Sequence, residues 1–221
     1  NFEAGRNYQD VQDPSITVRV KLKGFDIENA CALVWTTTPW TLPSNLALAV
    51  GPDLDYAVVE LSGCRYIIAD ALRSYYEAEL GDGEVVEMLT GSDLVGRTYR
   101  PLFDYFADTE VHGTEHAFQV IAADFVTVED GTGVVHLAPG FGEDDQVACN
   151  AAGIPTLCPM DEHGCYTGEV RDWAGAHVFD ANPDVIRSLK DRGTLAEGGV
   201  VVRHATYDHS YPHCWRCAQP L

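Results

Sequence analysis

Cations are scarce in this chain. Its 221 residues carry 14 lysines and arginines against 34 aspartates and glutamates, and the lysines are only Lys21, Lys23 and Lys190. A net charge of −20 repels phosphate backbones and argues against an autonomous nucleic-acid-binding module. Long apolar runs are also missing, and none reaches the roughly 20 residues that a membrane-spanning helix needs. No charged start followed by an apolar run suggests a signal peptide. The chain starts Asn-Phe-Glu, without methionine, and reads as a piece excised from a longer protein. Seven cysteines is an odd number. Cys31, Cys64, Cys149, Cys158 and Cys165 are scattered, which excludes a disulfide framework and points to a reducing, cytoplasmic setting. Internal repeats and low-complexity linkers are absent. So are a Ser-His-Asp order and an activated cysteine, and no covalent intermediate is expected.

What is present is a sizeable apolar fraction, 46%, enough for one domain with a core. Ile16, Val18, Val20 and Leu22 alternate with polar residues, as a half-buried strand does. Further strands are expected over 30–38, 46–50, 85–89, 118–122, 125–128, 134–137 and 199–203. A hairpin is expected from 56–61 and 65–69 across Ser62-Gly63. Asp70 can cap a helix ending at Gly81. A second helix opens at Glu143-Asp144-Asp145, where acidic residues suit the positive end of the dipole. A third is expected over 183–192, with Asn182 as its cap and Gly193 as its stop. Many short strands without βαβ alternation give an α+β class, barrel-like, with a few peripheral helices. An irregular N-terminal arm (about 1–15) and a C-terminal exit segment (about 204–221) flank it.

The densest chemistry lies in Trp35-Thr36-Thr37-Thr38-Pro39-Trp40-Thr41-Leu42-Pro43-Ser44-Asn45. A buried strand stops where proline has no N–H to offer, leaving several hydroxyls at its tip. A second constellation runs from Gly131-Thr132-Gly133 through His136 and Phe141 to Asp145. There a strand end, a proline-glycine loop and a helix start bring an imidazole and carboxylates to one opening.

As a pair these two runs resemble the motifs of the editing domain of isoleucyl-tRNA synthetases, of the valyl, isoleucyl and leucyl editing-domain type. Valyl and leucyl enzymes carry a shorter Thr-Thr-Arg-Pro run, and valyl enzymes have lysine where this chain has His136. The resemblance implies a β-barrel domain inserted between halves of a Rossmann catalytic domain. The motifs of amino-acid activation are absent, so no aminoacylation is expected of this fragment. The implied activity is hydrolysis of mischarged Val-tRNA(Ile) and of valyl-adenylate. Asp145 would pair with the substrate's α-ammonium. His136 would bound the side-chain pocket and contact the terminal ribose. Thr38 and Asn45 would position water, and Trp35, Thr36, Thr37, Thr41 and Phe141 would line the pocket. Water would attack directly, with the ribose hydroxyl and His136 helping to polarise it. Editing answers a physical limit, because one methylene supports only about 10–200-fold discrimination, a figure for which isoleucine against valine is itself the worked case. The implied partners are the 3′ end of tRNA(Ile), valyl-adenylate and the parent's catalytic domain, with no membrane. A valyl-type domain clearing threonine, or a non-catalytic module positioning the tRNA acceptor end, are the alternatives.

No cofactor is expected for editing. Cys214 and Cys217 form a Cys-x-x-Cys knuckle suited to zinc, but that is half of a four-ligand site. The family's second cysteine pair is missing here, so zinc is expected only in a full-length parent. Residues 161–166, with His163 and Cys165, read as a surface turn.

Overall fold

The architecture follows from the way one long strand uses both its edges. In the computed structural model the described residues are 8–24, 28–193 and 199–212. β1 (Tyr8–Lys23) places Ile16, Val18, Val20 and Leu22 in the main core, as period-2 alternation requires. One edge of β1 pairs antiparallel with β2 (Ala30–Thr36). After β2 come β3 (Ala47–Val50), the hairpin of β4 (Asp55–Leu61) and β5 (Cys64–Ala69), and a 3-10 stretch leading into α1 (Glu77–Leu80). Then follow β6 (Glu84–Thr90), α2 (Gly91–Leu94), β7 (Thr98–Tyr99), α3 (Thr109–His112), β8 (Gln119–Ala122) and β9 (Val134–Leu137). α4 (Glu143–Ala151), α5 (Val178–Lys190) and β10 (Val201–Pro212) complete the strands and α-helices of the described residues, with 3-10 turns also at Pro39–Ser44 and Arg171–Trp173.

Six strands close a barrel in the order β1-β7-β8-β3-β9-β2, with β2 returning to β1. Closure leaves none of the six with an open edge along its whole length. The interior is filled by alternate residues of β1 with Val34, Leu48, Val50, Val120 and Val134. A second core packs Cys149 and Ile154 against Ala47, Ala49, Ile121 and Leu137. α5 bridges the two, because Val178 and Ala181 join the second core and Val185, Ile186 and Leu189 the first. No helix among the described residues is long and apolar enough to cross a membrane.

β2 is forked. Ala30–Ala32 pair parallel with β5, whereas Trp35 pairs parallel with Val135 of β9. The turn at Gly131 and Gly133, both at positive φ, enters this fork, and the Ala69 N–H donates to the Thr132 carbonyl at 2.9 Å. Glycine serves the left-handed backbone there. A Cβ on Gly133 would also meet the Ala69 Cβ at 2.4 Å. β5, β4 and β6 hang from the fork as a wing.

Several expectations change. Residues 125–128 form no strand, because both neighbours of β8 are already β7 and β3 and no free edge remains for a hairpin. α5 starts at Val178 rather than 183. His177 caps it by accepting from the Phe179 N–H, Asn182 lies inside the helix with Oδ1 buried and unpartnered, and Pro183 sits within it. Asp70 begins the 3-10 stretch and pairs with Arg73 instead of capping. Residues 8–15 are not irregular, because they pair with 205–212 as an antiparallel ribbon. Residues 161–166 are the turn expected, with Asp161 Oδ1 accepting from the His163 and Cys165 N–H groups, each at 2.9 Å.

A tight backbone contact supplies a stability test. A Cβ on Gly91 would lie 2.0 Å from the Gly51 carbonyl oxygen and 2.8 Å from its carbon. Backbone cannot swing aside as a side chain can, so Gly91→Ala is expected to destabilise by roughly 2–3 kcal/mol. The urea midpoint measures it, and an unchanged midpoint would contradict the close approach.

Candidate functional site

The mouth of the fork is a cleft of about 560 Å3, a size suited to a small ligand. Trp35, Thr36, Thr37, Thr38 and Thr41 line it from the end of β2 and the following 3-10 turn. His136, Phe141 and Asp145 line it from β9, the loop and α4. Eight of the nine residues expected in the pocket therefore converge. Asn45 is the exception and sits behind His136. Its Nδ2 donates to the Ala47 carbonyl at 2.8 Å and faces His136 Nδ1 at 3.5 Å. Cys214 and Cys217 lie outside the described residues.

The threonines are organised by Pro39, which ends the strand and starts the 3-10 turn. The Thr36 hydroxyl accepts from the Thr38 N–H at 3.0 Å and lies 3.2 Å from the Thr38 hydroxyl. Thr38 and Thr41 hydroxyls are 3.1 Å apart, and Thr41 donates to the Thr38 carbonyl at 2.7 Å. Thr37 lines the cleft with no side-chain hydrogen bond among the described residues. Its hydroxyl is left for a ligand or water.

This network fixes the state of His136. Thr41 Oγ1 is 2.8 Å from His136 Nε2. Since Thr41 spends its proton on the Thr38 carbonyl, Nε2 must carry the hydrogen and donate it. Nδ1 then accepts from Asn45. Asn45 is oriented in turn by Tyr99, fully buried, whose hydroxyl donates to Oδ1 at 2.6 Å. Burial pushes the His136 pKa down to about 4, so the ring is neutral at pH 7 and both nitrogens are engaged within the protein.

Asp145 occupies the first turn of α4. Its Oδ2 accepts from the Ala138 N–H at 2.8 Å. Burial raises its pKa above the usual carboxylate value, more than that hydrogen bond lowers it, and Asp144 adds to the rise. A carboxylate so placed gains from a cation in the cleft.

Outside the two motif runs, Phe125, Thr127 and Asp130 also line the cleft, and within the first run Trp40 does so without having been expected in the pocket. Trp40 meets Phe141 edge-on at 5.1 Å and Phe179 at 5.8 Å, and its carbonyl accepts from the Tyr166 hydroxyl. It lay within the threonine run and could have been found there. Tyr99 could not, because a buried tyrosine hydroxyl announces a need for a partner without naming it.

No protein-family model matches the chain. It is 49% identical over 220 residues to an isoleucine–tRNA ligase of Mycobacterium leprae, covering 97% of this chain and 20% of the relative. It is 49% identical over 224 residues to one of Bdellovibrio bacteriovorus, covering 100% of this chain and 20% of the relative. The chain thus spans about a fifth of the length of the curated relatives it matches. Among solved structures, the editing domain of the P. falciparum cytosolic leucyl-tRNA synthetase matches with a TM-score of 0.59 at 8% identity, covering 86% of this chain and 99% of that one. Its P. knowlesi counterpart matches with a TM-score of 0.60 at 10% identity, covering 86% and 97%. At such identities the likeness is one of fold. Sequence and fold together place the chain in the isoleucine–tRNA ligase family, as a segment folded like a synthetase editing domain.

Proposed function

We propose that the cleft hydrolyses the aminoacyl ester of mischarged Val-tRNA(Ile), and the mixed anhydride of valyl-adenylate, while excluding isoleucine by size. The observation that carries this reading is the meeting of Asp145, the threonine hydroxyls and a neutral His136 in one cleft. The Asp145 carboxylate holds the α-ammonium by a charge-assisted hydrogen bond. That fixes the ester carbonyl against the threonine tip, where Thr37 and Thr38 orient water. Water adds to the carbonyl carbon, the tetrahedral intermediate collapses, and the ribose oxygen leaves with a proton as a hydroxyl. His136 acts as a wall and as the anchor of Thr41 rather than as a free base, since both of its nitrogens are occupied. Asn45 acts through His136.

The test is deacylation of Val-tRNA(Ile) against Ile-tRNA(Ile), with Thr-tRNA(Val) alongside. Selective loss of valine supports the reading. Preferential clearing of threonine would assign a valyl-type pocket. RNA binding without turnover of any ester would leave a positioning module. Removing the wall should relax the sieve, and His136→Ala is expected to raise hydrolysis of Ile-tRNA(Ile) by about tenfold or more, the scale of one methylene. Unchanged rejection of isoleucine would remove His136 from the sieve.

A further inference from the structure

A second pocket, of about 840 Å3, collects Arg19, Lys21, Arg100 and Arg192. In a chain of net charge −20, such a gathering runs against composition. Arg19 and Lys21 occupy the β1 positions that alternate with its core residues, so they face away from the barrel interior. The Arg100 N–H donates to the Lys21 carbonyl at 2.9 Å, which sets the two side by side. Arg192, at the end of α5, lies over the Phe103 ring at 4.8 Å and donates to the Leu102 carbonyl.

None of these four cations pairs with a carboxylate among the described residues. The arginine ion pairs engage Arg65, Arg73, Arg171, Arg187 and Arg203 instead. Arg19 meets the Cys64 sulfur and the Tyr66 hydroxyl, and Lys21 meets the Asn29 amide oxygen at 3.5 Å. Two carboxylates reach the pocket, and both are engaged. Asp104 binds Arg171 at 2.7 Å, and Asp172 accepts from the Tyr105 hydroxyl at 2.6 Å. Burial lowers the Arg192 pKa, with Tyr105 and Asp104 opposing the fall and the neighbouring Arg100 charge adding to it.

We infer that this pocket binds the phosphodiester backbone of an RNA. Several cations on separate elements suit the successive phosphates of a backbone rather than one ion. The RNA assignment rests on the hydrolytic reading of the cleft. Cys31, at the pocket, and Trp35, at the cleft, share a face of β2 four residues apart, or about 13 Å. RNA held by its backbone in one would thus lie within reach of the other. The pocket also reconciles an acidic chain with an RNA substrate, because the repulsion is general and the attraction local.

The test follows a labelled RNA hairpin with a single-stranded 3′ end by fluorescence anisotropy, from about 20 mM salt upward. Unaltered chain, Lys21→Glu and Arg100→Glu are compared with Arg187→Glu, which changes the net charge equally outside the pocket. Each pocket variant is expected to bind about tenfold more weakly, with a salt slope shallower by about 1. The control should stay within about twofold, and hydrolysis of a valyl ester of adenosine, which has no phosphodiester, should be unchanged throughout. Equal losses in all three variants, no losses, or no RNA binding by the unaltered chain would overturn the proposal. Pocket-dependent binding of tripolyphosphate alone would overturn it in favour of a small polyphosphate, and of polyglutamate alone in favour of an acidic protein segment. If RNA binding depends on the pocket but the adenosine ester is not cleaved, the pocket stands and the reading of the cleft fails.

Discussion

Asp145→Asn is expected to keep the fold and lose about a hundredfold in kcat/KM for Val-tRNA(Ile). The substitution is isosteric, and the amide oxygen can still accept from the Ala138 N–H that now holds Oδ2. What disappears is the charge that, on the proposed reading, meets an α-ammonium. A hydrogen bond to a charged partner contributes about 1.5–3 kcal/mol, or roughly 10–150-fold. Stability moves little, and the sign can be worked out. Burial raises the folded pKa of Asp145 above its ordinary value, so at neutral pH the ionised form costs stability and asparagine relieves that cost. A loss of activity would therefore not reflect unfolding, and a midpoint of denaturation at or above the original would establish this. Hydrolysis within threefold of the original would remove Asp145 from substrate recognition.

His136 should impose a pH dependence on stability that activity measurements do not reveal. Its folded pKa, about 4, lies well below the ordinary 6.5 because burial penalises the imidazolium. The unfolded chain thus binds a proton that the folded chain refuses. Stability from this group is fully present above about pH 6.5 and falls as pH drops toward 4. By pH 5 the loss is roughly 2 kcal/mol. His204, also lowered by burial and by Lys190, acts in the same direction but is more exposed. The decisive quantity is the difference between unaltered chain and His136→Gln. Urea unfolding from pH 7 to pH 5 should show the steep fall in the first and a shallower one in the second. Parallel curves would mean that His136 is not held neutral by burial.

Much of this was legible from residue order. The second half of β1 is legible because Ile16, Val18, Val20 and Leu22 alternate, whereas its first half, polar and read as an irregular arm, takes its strand form only from pairing with β10. The Ser62-Gly63 turn is legible because the pair separates two strand-like runs, and both residues do adopt positive φ, as a tight hairpin requires. The threonine tip was visible through its prolines. Other features depend on information that no local window holds. Residues 125–128 have strand composition, but strands need an edge, and the barrel had used both edges of β8. Pro183 points to a helix start there, since proline favours the first helical position. Five residues before it are nonetheless helical, held there as Val178 and Ala181 bury against the second core. The family resemblance puts Asn45 beside Thr38 at the attacking water. The 3-10 turn instead sends its amide behind His136, toward Tyr99, 54 positions away. The cationic pocket was hidden by composition itself, because the net charge says nothing of where the few cations gather.

The ribbon of β1 and β10 has a consequence for chain entropy. Eleven residue pairs, from Tyr8 with Pro212 to Val18 with Val201, hold two strands together across most of the sequence. Closing a flexible loop of about 200 residues costs on the order of 5 kcal/mol. Here that cost is met inside the domain, by its own hydrogen bonds and its own barrel. A polypeptide running on from both strands would leave from points about 5 Å apart. Seen from beyond the ribbon, the whole domain has the closure entropy of a short hairpin, and a neighbouring fold could carry it without losing the proximity of its own two flanks.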